Sequence, residues 1–412
     1  MGKTSKFTTQ TLLIGIVMAY SVMPVVSRFF SAYLTTYSYL GVVVITVLSI
    51  LLIGKQNFLG ELFAVIAPLL ILNVLIYLST SPSLILWVYS LLLDILAIIL
   101  GMYVLKYFNQ KVITLFTFLI FLIYAITIIT TIIGLNENSN AARYLATVAD
   151  SSEEEAVKYN WLNIGGFQFV YSVALIYPAI IYGFKHKKIH LAFLVVFAIA
   201  DFLLIVNSGY TIALLLFIMS TVFIFFKRDL RIQDVFLVLV ITILIVALLF
   251  SLISDLLNSL AEVIDNDTIA ERLRDLAGGR EGLENSEDNR LELYRRSFNS
   301  FMQNPIFGGM FVDLPNGGHS QLLDTMAQYG IFGLVALVLI YIGIYNTFFK
   351  KYKNKFGYGY VFWIFLQAII LMILNPGMWL YELALFIPII LTYIDRKGIK
   401  NENSLDSKLF AA

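Results

Sequence analysis

About a dozen stretches of this chain are apolar over the length needed to cross the roughly 30 Å hydrocarbon core of a bilayer, and that repetition constrains the fold more than any motif does. They run near Thr9–Val26, Tyr33–Ile53, Phe58–Leu78, Leu84–Leu105, Val112–Ile133, Phe167–Phe184, Leu191–Asn207, Tyr210–Phe226, Val235–Leu256, Ile331–Phe349, Tyr360–Leu374 and Met378–Ile394. The residues are 59% hydrophobic and 13% charged, more apolar surface than a water-soluble core can absorb. The expected fold is therefore all-α, a polytopic membrane protein of about twelve transmembrane helices. The opening MGKTSKFTTQ looks like the basic start of a signal peptide. No small-residue cleavage site follows before the next apolar span, so it is read as leading into a retained first helix.

Charge sets the expected orientation. With both termini cytoplasmic, the inner segments hold 19 of the 28 Lys and Arg, among them Lys106, Lys111, Lys185, Lys187, Lys188, Lys350 and Lys351. The short outer turns near Ser81, Ser208 and Pro376 hold none, which is the positive-inside bias. A formal net charge of +1 gives no field that would attract nucleic acid. The absence of cysteine excludes disulfides, thiolate metal sites and thiol redox chemistry. The resulting division is residues 1–256 as transmembrane helices 1–9, 257–318 as a long extracytoplasmic loop, 319–394 as transmembrane helices 10–12, and 395–412 as a cytoplasmic tail.

Two outer loops depart from the otherwise short connections, Gly134 to about Gly166 and Leu257 to about Gly318; long loops on a scaffold are where function concentrates. The first carries Asp150 and Glu153, Glu154, Glu155, with Arg143 and Lys158 nearby, and reads as a solvated helical lid. In the second, Leu291, Tyr294, Phe298 and Met302 recur at helical spacing. That pattern predicts an amphipathic helix with its apolar side on the membrane domain and Arg290, Arg295 and Arg296 near the headgroups. Asn304 and Pro305 end this helix, and Gly308, Gly309, Gly317 and Gly318 allow tight turns after it.

Of three histidines, His186 and His190 lie in a basic inner turn with a solvated or headgroup-facing role. His319 alone is outside, on a stripe with Leu322, Leu323, Met326, Gly330 and Gly333 that points it toward the bundle from its outer edge. An imidazole there can take a proton from a hydroxyl near neutral pH; the other reading is a structural loop-edge histidine. Arginines offer planar, bidentate phosphate donors, and for Arg272, Arg274, Arg295 and Arg296 a solvated or lipid-headgroup face is the alternative. Asp265, Asn266 and Asp267 look like the metal-nucleotide motif of soluble glycosyltransferases, but nucleotide sugars are cytoplasmic and this loop is not. Asp94, Asp201 and Glu382 fall inside apolar spans, where ionisable groups usually face a cavity or partner; an ion path in a transporter is the rival use.

The stretch from Arg290 to Leu334 resembles the shared region of the O-antigen polymerase and ligase family. It has an Arg opening an amphipathic helix with Tyr294 four residues on, then Asn304-Pro305 and Gly308-Gly309, then His319 before a transmembrane start containing Gly330 and Gly333. The resemblance implies a GT-C-like membrane glycosyltransferase acting on polyprenyl-diphosphate-linked glycans without metal or other cofactor. It also implies that His319 assists the acceptor hydroxyl and Arg290 binds the donor diphosphate. Arg280, Arg295 and Arg296 are further candidates for substrate binding. Many relatives carry an Arg at the outer end of an earlier helix, where this chain reads Asn207, Ser208, Gly209, Tyr210; Arg280 is the candidate replacement. The expected activity is polymerisation of lipid-linked repeat units into capsule, exopolysaccharide or O-antigen. The expected location is the cytoplasmic membrane, among membrane lipids, with a chain-length regulator as a candidate partner. Ligase-type transfer to another acceptor, and glycan or lipid transport, remain the alternatives.

Overall fold

The computed structural model describes residues 3–33, 41, 43–44, 46–48, 56–80, 83–138, 141, 153–225, 231–248, 255, 258–259, 261–263, 270, 290–352 and 358–395. The regular elements among them are all helical. In chain order they are α1 (Lys3–Val22), α2 (Pro24–Tyr33), α3 (Gln56–Thr80), α4 (Leu84–Tyr107), α5 (Gln110–Glu137), α6 (Glu153–Trp161) and α7 (Phe167–Lys185). There follow α8 (Leu191–Ser208), α9 (Thr211–Val222), α10 (Ile232–Leu248), α11 (Arg290–Gln303), α12 (Gln321–Ile344), α13 (Tyr358–Leu374) and α14 (380–395), which contains a π-helical segment at Glu382–Phe386.

Six of these helices are long and apolar enough to cross a membrane: Gly60–Ser79, Trp87–Tyr107, Gln110–Glu137, Phe167–Lys185, Leu191–Ser208 and Gln321–Tyr352. A seventh is added if the bent pair α1–α2 counts as one span, and Thr211–Val222, Ile232–Ile241 and Gly359–Leu374 are shorter apolar helices. The exposed side of α5 shows why the solvent must be lipid. Leu115, Phe118, Leu122, Ile126, Ile129 and Ile133 form an outward stripe at helical spacing, while Ile113, Phe116, Ile120 and Tyr124 are buried opposite. Water would penalise that stripe by roughly 25 cal/mol per Å², whereas lipid does not. The chain is thus a polytopic membrane protein.

Lipid provides no hydrophobic drive between helices, so close packing and interhelical hydrogen bonds hold the bundle. Buried Gln367 and Trp363 on α13 both donate to Ser220 Oγ on α9, at 2.7 and 3.0 Å. Tyr124 of α5 pairs with Ser172 of α7 at 2.5 Å, and Tyr20 of α1 with Tyr89 of α4 at 2.6 Å. Around these contacts α7 packs against α8, α9 and α13, and α12 against α3 and α11.

The first apolar stretch, expected as one span to Val26, ends at Val22. The chain turns by 109° into α2, because Pro24 has no N–H to continue the helix and fits a helix's first turn. The second stretch, Tyr33–Ile53, lies mostly outside the described residues. In the first long loop, α6 packs against α2, and Tyr159 joins Leu135, Ala141 and Ile164 in a small core of its own. Buried Asn163 ties the end of this loop to α5, donating to Thr127 and Thr130 Oγ1 at 3.2 and 3.1 Å. His186 and His190 serve as helix ends: His190 Nδ1 accepts the Ala192 N–H at 3.2 Å at the start of α8, and His186 caps α7, its ring 4.1 Å from that of Tyr182.

Candidate functional site

Two expectations for the second loop are corrected by α11 and what it touches. The apolar stripe does not pack on the membrane domain, because Leu291, Phe298 and Met302 are 72%, 47% and 58% exposed. The buried side is formed by Ser297 and Ser300, whose small side chains let the backbones approach while their hydroxyls find partners. Ser300 Oγ donates to Pro315 O, and Ser297 Oγ to Asp324 Oδ1, each at 2.5 Å. The apolar stripe of α11 is left exposed, as are Ile306, Phe307 and Phe311 in the segment that follows it.

The second correction concerns the stripe drawn from His319 to Gly333. It is not continuous, because Gly330 has φ 58° and ψ −146° and splits α12 into two helical pieces. The break is formed by the Asn304–Gly309 turn docking into it. Ile331 N–H donates to Pro305 O at 2.9 Å and Gly309 N–H to Ala327 O at 2.8 Å. A Cβ on Gly330 would stand 2.3 Å from the Ile306 carbonyl oxygen, and one on Gly308, also at φ +58°, 2.5 Å from Ala327 O. Only glycine tolerates both the conformation and the approach.

His319 is partly exposed and sits between Gly318, at φ +72°, and Ser320, the N-cap of α12. Its position is set by neighbours on both sides. Asp324 accepts from Ser320 N–H at 2.9 Å through Oδ2, and from Gly318 N–H at 3.2 Å through Oδ1. Ser320 Oγ accepts the Leu323 N–H at 3.1 Å, a reciprocal arrangement close to a capping box. Ser297 Oγ accepts Gly317 N–H at 2.8 Å as it donates to Asp324. The four residues carrying the histidine are thereby tied to both α11 and α12.

The turn after α13 closes the third side. Gln321 N–H donates to Asn375 O at 3.1 Å, and Tyr294 OH on α11 donates to Leu374 O at 2.8 Å. Trp379 follows with φ +54°, its ring 6.0 Å from that of Tyr171, which in turn lies 5.5 Å from Tyr210. Tyr210 directly follows Asn207-Ser208-Gly209, the turn that lacks an arginine.

Of the sequence candidates, His319 lies on this braced loop and Arg290 is the first residue of α11, its side chain outside the described residues. Arg295 and Arg296 are exposed on α11. Arg280, Arg272, Arg274 and the Asp265–Asp267 motif lie outside the described residues. Among the described residues no group of three or more His, Asp or Glu could hold a metal ion. The intramembrane acids are not gathered in one place. Asp94 and Glu382 both lie near Tyr381, and Ser172, the partner of Tyr124, stands close to Glu382. Asp201 is fully buried beside Tyr177, and neither of its oxygens has a partner among the described residues.

The sequence reading missed Asp324, Ser297 and Asn375. For Asp324 a signal existed, since Ser320 with an acid four residues on, at the start of an apolar helix, is a capping pattern. Ser297 and Asn375 had none, because their partners are distant in sequence.

Residues 193–338 match the family model described as O-antigen ligase. The matched stretch runs from α8 through the second loop, α11 and His319 into α12, and so includes Arg280, Arg290, Arg295 and Arg296. No curated protein matches the chain.

Proposed function

We propose, from the O-antigen ligase match over residues 193–338, that the chain is a membrane glycosyltransferase polymerising polyprenyl-diphosphate-linked repeat units. In the proposed step, His319 takes the proton of a hydroxyl on the acceptor saccharide as that oxygen attacks the anomeric carbon of the donor. The bond from that carbon to the diphosphate breaks, and the polyprenyl diphosphate leaves carrying the released negative charge. Arg290, with Arg280, Arg295 and Arg296 as further donors, holds the diphosphate; a guanidinium gives two parallel hydrogen bonds to phosphate oxygens and stays charged at an interface. Breaking the sugar–phosphate bond drives the transfer, so the reading requires no metal or nucleotide.

The proposed arrangement is about twelve spans with both termini cytoplasmic and residues 257–318 outside, the face on which lipid-linked units are presented. The observation that carries the reading is the bracing of the His319 loop against α11, inside the matched stretch. A loop held by hydrogen bonds on both sides suits a proton acceptor that must keep its geometry.

The test is to delete the gene, complement it with wild type or His319→Ala, and examine the lipid-linked pool. Single unpolymerised units in both the deletion and the His319→Ala strain are expected. Wild-type polymer in a well-expressed His319→Ala strain would remove the base assignment. Full-length but unattached polymer in the deletion would mark a ligase, and units trapped on the cytoplasmic face a transporter.

A further inference from the structure

The turn from Asn375 to Trp379 lies outside the matched stretch and has no charged residue between Tyr360 and Tyr381, yet it adjoins both elements of the site. Asn375 O accepts from Gln321 N–H, two residues after His319, and Leu374 O accepts from Tyr294 OH on the helix that Arg290 begins. The turn is held from below as well, since Tyr341 OH donates to Met378 O at 3.0 Å.

Two buried side-chain hydrogen-bond donors lie on this turn. The Asn375 side-chain amide nitrogen and Trp379 Nε1 have no hydrogen-bond partner among the described residues, although Asn375 is only 5% and Trp379 6% exposed. A buried donor left unpaired costs about 1–3 kcal/mol, and native structures rarely retain one without a use. Here two stand four residues apart, on a backbone held at φ +54° by Trp379 itself. Strain of that kind in a bulky residue concentrates at ligand sites. The aromatic rings of Tyr171 and Tyr210 continue from Trp379.

We infer that the Asn375–Trp379 turn is a saccharide subsite, which holds the acceptor sugar so that its hydroxyl meets His319. Neutral donors and aromatic faces suit a sugar ring, which offers oxygen acceptors on its edge and C–H groups on its face. They do not suit the diphosphate, which calls for cations, and the turn has none. Asn375 and Trp379 are positioning residues: they bind the ring and leave the proton transfer to His319. The inference rests on the glycosyltransferase reading and adds to it the place where the acceptor sits.

The test uses the full-length protein purified in detergent. The probe is the saccharide released by mild acid from the lipid-linked units that accumulate in cells lacking this chain; without its diphosphate, it reports on sugar contacts alone. Trp379→Phe keeps an aromatic ring and removes the N–H, and Asn375→Leu keeps the approximate shape and removes the amide. At a wild-type unfolding temperature, each should bind the saccharide about tenfold more weakly. Each should also raise the KM for lipid-linked units by a similar factor, while kcat falls less. His319→Ala should bind the saccharide normally and fail to polymerise. Wild-type affinity in the two turn variants, or no saccharide binding by the wild type, overturns the inference. Loss of folding in both variants would make the side chains structural and overturns it too. Polymerisation surviving in His319→Ala would instead overturn the glycosyltransferase reading, so the two failures are distinguishable.

Discussion

Asp324→Asn should uncouple the His319 loop from its supports while leaving the bundle assembled. The carboxylate accepts three hydrogen bonds, from Ser297 Oγ, Gly318 N–H and Ser320 N–H. An amide retains one oxygen but places an NH₂ group against either the serine hydroxyl or the backbone donors. Hydrogen bonds to a charged group contribute about 1.5–3 kcal/mol each. Because Asp324 is partly exposed, the low end applies, and losing one such bond and weakening another removes about 2 kcal/mol. That is a factor of about thirty in the population of the detached loop, concentrated at residues 317–320 rather than spread over the helices. Hydrogen exchange at Gly317, Gly318 and Ser320 should rise by about that factor, and polymer synthesis at matched protein level should fall at least several-fold. Unchanged exchange would show that Asp324 does not hold the loop. Raised exchange with wild-type synthesis would show that holding the loop does not matter to catalysis.

Gly330→Ala places a Cβ 2.3 Å from Ile306 O at a positive φ, so a loss of roughly 1–3 kcal/mol and a lower unfolding temperature in detergent are expected; an unchanged transition would refute the docking of the Asn304–Gly309 turn. Arg290→Lys should impair polymer synthesis nearly as much as Arg290→Ala, because the ammonium keeps the charge but loses the two-pronged phosphate geometry; near-normal synthesis in Arg290→Ala would rule out the donor role. A single cysteine at Ser286→Cys, free of background in a chain without cysteine, should label from outside intact cells and one at Lys187→Cys only after permeabilisation; the reverse pattern would invert the proposed orientation.

The membrane architecture was legible in the chain because it depends on a quantity that sums along the sequence. Enough consecutive apolar residues make a span whatever they pack against, as in α3, α4, α5, α7 and α8. The end of α11 at Gln303 was equally local, since Pro305 cannot continue a helix and Asn304 precedes it. The resemblance at Arg290 to Leu334 likewise depended only on the order of residues, and the family match extends over it.

The facing of α11 was decided by tertiary structure. Hydrophobic periodicity identifies an amphipathic helix but not which side meets protein when the surroundings include lipid, where an apolar stripe can face outward without cost. The buried side went to Ser297 and Ser300, because Asp324 and the Pro315 carbonyl stood opposite to accept their hydrogen bonds. Gly330 was the same kind of case: as a residue it fits a helix stripe, and only the approach of Ile306 makes it a break. The joining of Asn375 to the His319 loop spans 54 residues from Gln321. A backbone hydrogen bond across that separation leaves no trace in either local pattern, since it uses atoms that every residue except proline possesses.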